Sequence, residues 1–373
     1  MSLTFTALPV PEGDAFLLED GDRMYLFDSG GNQDRITKLL KAKNIDKIDV
    51  AICSHNDSDH SRGFIGLLKM SNNPIAIDEI WLPELWCTIV TYAIVNRDRV
   101  KVWSDIEKHL REEYNEENSE EWNGYDIDEL FGNEFIYATD VGALMADINN
   151  IDISYSKKSS KNNAFTTFSR QYSSHPLVDK LNNIIRIVSL AIQKGCKILW
   201  FRNIKLPYVA PYIYGFIPLN SRPVCITKYG LYSVFVGYIK ILKSKHFVKA
   251  VNLSAVNHFS LVFEFWKEIV PVVRFSADSD CVFKTHNTYT SSIIITAPHH
   301  GSKYNKQVYS KIHGNYIIWV RTYHKKDQVG CKTFLRRPNR YCVKCPDKNV
   351  FQEIHFEYQS GKWQPIYGTS CQC

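Results

Sequence analysis

The six-residue segment from His55 to His60 constrains this 373-residue chain more than any other feature. It reads His-Asn-Asp-Ser-Asp-His and follows the apolar run from Ile48 to Cys53, which predicts a buried strand. Imidazole and carboxylate groups bind divalent cations, and four of them in one tight loop can surround two ions. The alternative is an ordinary surface turn, because Asn, Asp and Ser also favour turns. The segment therefore predicts a metal centre directly after a buried strand.

The rest of the chain alternates strand-like and helix-like patterns. Residues 15–19 and 24–28 are apolar runs on either side of Asp20-Gly21-Asp22, which predicts a hairpin, and residues 36–43 have helical spacing. A helical pattern also runs from Phe64 to Met70 and from Trp103 to Leu110. Further strands are predicted at 197–201, 231–237, 260–265, 270–275, 292–296 and 316–320. This alternation predicts an α/β fold.

Polar clusters follow three of these strands. His55 comes after residues 48–53, Asp278 after residues 270–275, and His299 with His300 after residues 292–296. The carboxyl ends of neighbouring strands usually line one cleft in α/β proteins. We therefore expect these side chains to converge.

Several of these motifs resemble those of a known family. His55-x-Asp57-x-Asp59-His60 resembles the signature loop of the metallo-β-lactamase superfamily. Its aspartate at the third position is similar to the variant in the hydrolase domain of the bacterial DNA-uptake channel protein ComEC. The resemblance covers residues 1–90 and about 250–305, where it also rests on Gly13-Asp14-Ala15, Leu26 to Gly30, Asn257 to Val262, Phe275 to Asp278 and Pro298 to Ser302. Ala277 stands where the family has glycine.

The resemblance implies a set of metal ligands. His55, Asp57, Asp59 and His60 would bind two divalent ions, and Asp278 would bridge them. Either His299 or His300 would complete the second site, and the other would face the substrate as a phosphate-binding or proton-donating group. Asp14 and Asp28 would hydrogen-bond the histidine ligands or cap turns.

Two departures from the family pattern bear on the metal. Asp57 replaces the histidine that is usual at the third loop position. The family also has a histidine ligand between this loop and the bridging aspartate, and this chain has no clear counterpart to it. The candidates in that part of the sequence are His175, His246 and His258. The remaining set is rich in carboxylates, so manganese is as plausible as zinc.

The implied architecture is the αββα sandwich of this superfamily. We assign residues 1–90 and 185–340 to the hydrolase domain and residues 91–184 to an acidic, largely helical insertion. Residues 341–373 form a Cys-rich tail. In that tail Cys342, Cys345, Cys371 and Cys373 form two close pairs, which predict one structural zinc; free or reversibly oxidised thiols are the alternative.

The charge distribution favours a polyanionic partner. The net charge is +6, yet residues 105–134 carry 12 acidic and two basic residues. Residues 201–263 hold eight Lys or Arg and no carboxylate, and residues 301–345 hold eleven and one. A basic field of this extent is typical of nucleic-acid binding, although a solvated basic face is the alternative. The acidic segment is a lid, a protein-partner surface or a solvated helix face.

The function these features predict is a dinuclear phosphodiesterase or nuclease that acts on DNA or RNA through metal-activated hydroxide. Asp59, His299 and His300 are the catalytic candidates, and Tyr304, Lys303, Asn257 and Ser260 are substrate-binding candidates; among the interleaved aromatics, Tyr323 is a further contact candidate. The alternatives are a hydrolase of a small phosphodiester, ester or lactone, and a non-catalytic sensor. No signal-peptide or membrane-spanning pattern is visible, which predicts a cytoplasmic protein with no membrane partner.

Overall fold

A computed structural model describes the chain at residues 2–69, 74–96, 100–115, 176–204, 212–223, 244–254, 259–281, 287–323, 330–345 and 350–371. Most of the acidic insertion and the strand predicted at 231–237 lie outside these residues. Within them the chain is a mixed α/β structure with two large sheets and helices on the outer face of each. This arrangement is consistent with a metallo-β-lactamase sandwich.

The first sheet has nine strands among the described residues. In spatial order they are β19 (Lys362–Tyr367), β18 (Ile354–Gln359), β1 (Leu3–Ala7), β2 (Phe16–Asp20), β3 (Arg23–Phe27), β4 (Lys47–Ile52), β5 (Ala76–Pro83), β6 (Lys197–Asn203) and β8 (Ser221–Pro223). Strands β3 to β6 run parallel. The segment from His55 to His60 follows β4 and so lies at the carboxyl edge of this parallel half.

The second sheet has six strands in the described part of the chain. In spatial order they are β15 (Arg340–Cys342), β14 (Ile317–Arg321), β12 (Ile293–Thr296), β10 (Val270–Phe275), β9 (Phe263–Lys267) and β7 (Phe216–Pro218). Strands β10, β12, β14 and β15 run parallel, so their carboxyl ends form one row. Two short pairs stand apart: β11 (Thr288–Tyr289) with β13 (His313–Gly314), and β16 (Lys344–Cys345) with β17 (Val350–Phe351).

Helices cover both outer faces. The outer face of the first sheet carries α1 (Arg35–Ala42), α2 (Ser58–Leu68), α3 (Glu84–Val95), α4 (Val100–Asn115), α5 (Pro176–Gln193) and α6 (Ser244–Leu253). The second sheet packs against α7 (Lys306–Lys311) and α8 (Lys332–Leu335). No helix within the described ranges is both long and apolar enough to cross a membrane.

The core between the sheets fixes the position of the loops above it. Side chains alternate along each strand, so Leu26 faces the helices while its neighbour Phe27 faces the second sheet. Phe27 stacks on Phe275 with ring centroids 4.5 Å apart. Because Asp28 follows one ring and Asp278 follows the other by three residues, this contact holds the two acidic loops at the same edge of the sandwich.

Most sequence predictions of local structure are confirmed, with two shifts. The hairpin and the strands near residues 48, 197, 270, 292 and 316 form as predicted. Helix α2 begins at Ser58 rather than at Phe64, with the Asp57 carbonyl accepting from the backbone N–H of Ser61. The strand predicted at 260–265 begins at Phe263, because the N–H groups of Leu261 and Val262 bond the Ser54 carbonyl and the Asn220 side chain instead of a ladder.

Candidate metal centre

Asp278 lies at the middle of a cluster of histidines and carboxylates. One of its oxygens, Oδ2, is 3.7 Å from Nε2 of His55 and 3.8 Å from Nε2 of His299. The other oxygen, Oδ1, is 3.0 Å from Nε2 of His60 and 3.7 Å from Nε2 of His300. The two carboxylate oxygens therefore face two separate groups of imidazoles, which is the arrangement a bridging ligand requires.

The first group surrounds Asp278 Oδ2. It contains His55 and Asp57, whose Nε2 and Oδ2 atoms are 3.7 Å apart. His299 lies on the same side of Asp278. The Asp57 side chain is 35% exposed, whereas that of His55 is 1% exposed, so this group opens to solvent through Asp57.

The second group surrounds Asp278 Oδ1. Asp59 Oδ2 lies 3.0 Å from Nε2 of His300 and 3.9 Å from Nε2 of His60. Both histidine rings are buried. Asp59 and His60 come from the first turn of α2, and His300 from the turn after β12, so the two sheets build this group together.

Partners behind the rings orient the imidazoles of the signature segment. Asp28 is fully buried, and its Oδ2 lies 2.8 Å from Nδ1 of His60. The Ser54 hydroxyl donates to the same carboxylate over 2.7 Å and lies 2.9 Å from Nδ1 of His55. With each Nδ1 engaged on this side, both Nε2 atoms point at Asp278.

His300 is held in the same way by two residues. Its Nδ1 lies 2.9 Å from the Thr322 hydroxyl and 3.1 Å from Asp14 Oδ1, and Thr322 also donates to Asp14. Asp14 also lies near His60, where its Oδ2 is 3.8 Å from the same type of ring nitrogen, Nδ1. Although Asp14 is close enough to be counted with the second group, its contacts are on the far side of both rings from Asp278, so we place it behind the ligands.

The structure separates His299 from His300. The His300 ring is buried and its backbone carbonyl accepts from Nε of Arg321. The His299 ring is 18% exposed and stacks on Tyr304, with ring centroids 6.0 Å apart and an interplanar angle of 22°. His300 thus has the buried surroundings that a ligand needs, and His299 lies at the partly exposed rim of the cluster.

Three left-handed residues set the directions of these side chains. Ala277, His299 and His300 have φ values of 44°, 48° and 52°. Residues other than glycine rarely adopt this conformation, and such backbone strain concentrates at functional sites. Ala277 occupies the position where the family has glycine, and its positive φ gives the physical reason for that glycine.

Unsatisfied buried atoms test whether the cluster suits a cation. His55 Nε2, His60 Nε2 and Asp278 Oδ1 are buried and make no hydrogen bond within the described part of the chain. Buried polar atoms nearly always have a partner, so three such atoms around one carboxylate need another explanation. Imidazole nitrogen and carboxylate oxygen together fit a divalent ion. The residues therefore fit the cofactor that the sequence predicts.

The charges in the centre are strongly coupled. Burial opposes ionisation of Asp278 and Asp59, but the adjacent histidines hold the pKa of each carboxyl well below its usual range. Burial also opposes protonation of His60 and His300, yet the carboxylates raise the pKa of His60 strongly and that of His300 to about 10. By contrast, burial lowers the pKa of His299. Without a cation, the imidazoles of His60 and His300 therefore bind protons more strongly than a free imidazole does.

The predicted substrate-binding residues differ in placement. Lys303 and Tyr304 are exposed beside His299, and Tyr304 is 68% exposed. Ser260 is fully buried and its carbonyl accepts from Asn220, so it presents nothing at the surface. Asn257 lies outside the described residues, as do His175 and His258 and the side chain of His246. Sequence reasoning missed Thr322, although a polar residue directly after a predicted strand is the signal that found the other clusters.

The basic stretches are partly structural. Arg321 and Arg340 are buried, and Arg202 forms a 2.5 Å ion pair with Glu84. Lys303 remains exposed beside His299, and Lys344 is half-buried. The positive field of residues 301–345 is therefore weaker than the residue count predicts, but it persists beside the candidate site.

Two of the four cysteines predicted to bind a structural zinc lie close together. The Sγ atoms of Cys345 and Cys371 are 3.1 Å apart, and both side chains are buried. Cys342 lies buried in the same apolar cluster. Cys373 falls outside the described residues, so the structural zinc stays a prediction.

Comparison with known proteins agrees with this geometry. Residues 8–133 match the model of the metallo-beta-lactamase superfamily, a range that includes the segment from His55 to His60. No curated protein sequence matches the chain. Residues 8–133 therefore carry a metallo-β-lactamase superfamily domain. The superfamily includes hydrolases, and together with the buried His and Asp cluster the match points to a metal-dependent hydrolase.

Proposed function

We propose that this protein is a dinuclear metal-dependent phosphodiesterase that cleaves nucleic acid. The observation that carries the proposal is the position of the Asp278 carboxylate. Its two oxygens face two separate groups of histidine ring nitrogens. His55 and Asp57 would hold one ion, and Asp59, His60 and His300 the other. Zinc and manganese both suit this set, and Asp57 supports the likeness to the ComEC hydrolase domain.

The ligand charges favour an anionic substrate. Two divalent ions bring four positive charges, and Asp57, Asp59 and Asp278 bring three negative ones, so the ligand shell keeps a positive balance. Such ions supply Lewis acidity and lower the pKa of water towards neutrality. Phosphodiester oxygens are the anionic groups that a centre of this charge binds best.

In this proposal His299 is the residue that donates a proton to the substrate. Its ring lies at the rim, and burial lowers its pKa, which favours the neutral form in the absence of substrate. We propose that it hydrogen-bonds a phosphoryl oxygen, that the bound anionic phosphate favours the imidazolium form, and that this form gives its proton to the leaving oxygen and returns to the neutral ring. A well-placed general acid or base contributes about 10²–10⁴-fold to the rate.

Tyr304 and Lys303 extend this rim. The Tyr304 ring is exposed and stacks on His299, and Lys303 Nζ lies 5.5 Å from its centroid. Stacked rings with an adjacent cation suit a base and its phosphate. This surface favours a nucleotide over a small neutral ester.

Hydrolysis assays test the proposal. Purified protein with added Mn²⁺ or Zn²⁺ is incubated with single- and double-stranded DNA and RNA and with bis(4-nitrophenyl) phosphate. Asp59→Ala removes a proposed ligand, and Asp34→Ala, an exposed aspartate, is the matched control. We expect cleavage by the wild type and the control and none by Asp59→Ala. Absence of cleavage of any phosphodiester by metal-loaded wild type would refute the proposal.

A further inference from the structure

A second aromatic and cationic cluster lies near the metal centre, formed by Tyr323, Lys344 and Phe351. Lys344 Nζ is 4.3 Å from the Tyr323 ring centroid and 5.0 Å from that of Phe351. The two rings meet edge to face with centroids 5.5 Å apart. Lys344 and Phe351 are direct cross-strand partners in the β16–β17 pair. The backbone pairing therefore holds the lysine against the Phe351 ring.

The chain connects this cluster to the centre. Tyr323 directly follows Thr322, which bonds the ring of His300, and its carbonyl accepts from the N–H of Gly13 over 2.8 Å. Lys344 follows the end of β15, which is two strands from β12 in the parallel row. At about 4.8 Å for each strand spacing, the Lys344 backbone is roughly 10 Å along the sheet edge from the strand that carries His299.

The cluster is open to a ligand. Phe351 is 40% exposed, and Tyr323 and Lys344 are half-buried. Within the part of the chain that the structure describes, no carboxylate lies within ion-pair distance of Lys344. An ammonium held by rings alone can pair with a phosphate while an exposed ring stacks on a base.

We propose that Tyr323, Lys344 and Phe351 form a second nucleotide subsite, which makes single-stranded nucleic acid the preferred substrate. This inference rests on the proposed function. Tyr304 and the new cluster follow neighbouring strand ends, so one strand can place one nucleotide at the centre and a nearby nucleotide on the cluster. Bases in a duplex are paired and stacked, and so cannot occupy these rings.

A binding experiment tests the subsite separately from catalysis. Fluorescence anisotropy of a labelled single-stranded oligonucleotide is measured after chelation of metal, so hydrolysis is excluded. The variants are Lys344→Gln and Phe351→Leu. Lys362→Gln is the matched control, because Lys362 Nζ lies 5.9 Å from the Tyr316 ring, near the amino end of β14. That pair has similar chemistry at the opposite edge of the sheet.

The subsite predicts a specific pattern. Lys344→Gln and Phe351→Leu weaken oligonucleotide binding about tenfold and leave mononucleotide binding unchanged, while Lys362→Gln binds like the wild type. For Lys344→Gln the slope of log Kd against log salt falls by about 0.7, as for one lost phosphate contact on a single strand. Equal binding by Lys344→Gln and Lys362→Gln, or no oligonucleotide binding by the wild type, overturns the inference. Failure of the proposed function would show separately, as absence of hydrolysis by metal-loaded protein.

Discussion

Replacing Asp28 with asparagine tests how the centre orients its ligands. Asp28 Oδ1 accepts from the Ser54 N–H over 2.8 Å, and Oδ2 faces Nδ1 of His60. In Asp28→Asn the amide oxygen keeps the Ser54 N–H, and the amide nitrogen then opposes Nδ1 of His60. Because an NH₂ group donates, His60 must carry its proton on Nε2, the atom that would bind the metal.

The expected loss is large and confined to metal binding. Loss of a partner that orients a histidine ligand typically lowers metal affinity about 10–100-fold, or roughly 1.4–2.7 kcal/mol. We expect about 100-fold, since the substitution inverts the tautomer as well as weakening the hydrogen bond. Isothermal titration of metal-free protein with Mn²⁺ measures the affinity.

Two further variants make this test decisive. Ser54→Ala removes one hydroxyl donor but keeps the Asp28 charge, so its loss of affinity is smaller. Asp34→Asn changes an exposed aspartate and leaves the affinity unchanged. The reasoning is refuted if Asp28→Asn retains a wild-type circular dichroism spectrum and binds Mn²⁺ as tightly as Asp34→Asn.

Three other predictions concern the backbone, the protons and the tail. Ala277→Gly relieves a left-handed conformation that costs about 1–2 kcal/mol against a glycine entropy cost of about 0.5–1 kcal/mol, so urea denaturation should show a gain of about 0.5–1 kcal/mol, and a loss would contradict this. Burial lowers the pKa of His300 but Asp14 and Asp278 raise it to about 10, above the unfolded value near 6.5. Its contribution to stability is therefore complete below pH 6.5 and is lost towards pH 10, so the Tm of metal-free protein should fall over that range; a rising Tm would refute the assignment. Cys345→Ser should lower the zinc content by one ion per chain, and unchanged stoichiometry would exclude the structural zinc.

Local patterns were sufficient to predict the first part of the centre. The run from Ile48 to Cys53 contains a buried strand, as expected, and His55 and Asp57 lie in the loop after it, with Asp59 and His60 in the first turn of α2. Hydrophobic periodicity reports which residues face the core, so it locates a strand and the residue that follows it.

The choice between His299 and His300 could not be predicted. The two residues are identical and adjacent, and they differ only in tertiary contacts: Thr322 and Arg321 hold His300, whereas Tyr304 stacks on His299. These partners come from other turns of the chain, and hydrophobic periodicity gives no information about them.

Charge counting was the least informative part of the sequence. A count gives every arginine equal weight. However, the buried guanidinium of Arg321 donates a hydrogen bond to the His300 carbonyl, and Arg202 forms an ion pair with Glu84. Lys344 lies in the same basic stretch, and the count does not distinguish it from the other lysines. Its contact with Phe351 depends on the cross-strand register, which the sequence does not show.

An anomalous-difference map of crystals soaked in Mn²⁺ tests the central claim most directly. Two peaks are predicted, one on each side of the Asp278 carboxylate. The first should contact His55 and Asp57, and the second should contact Asp59, His60 and His300. A single peak, or peaks bound by residues other than these, would contradict the dinuclear centre.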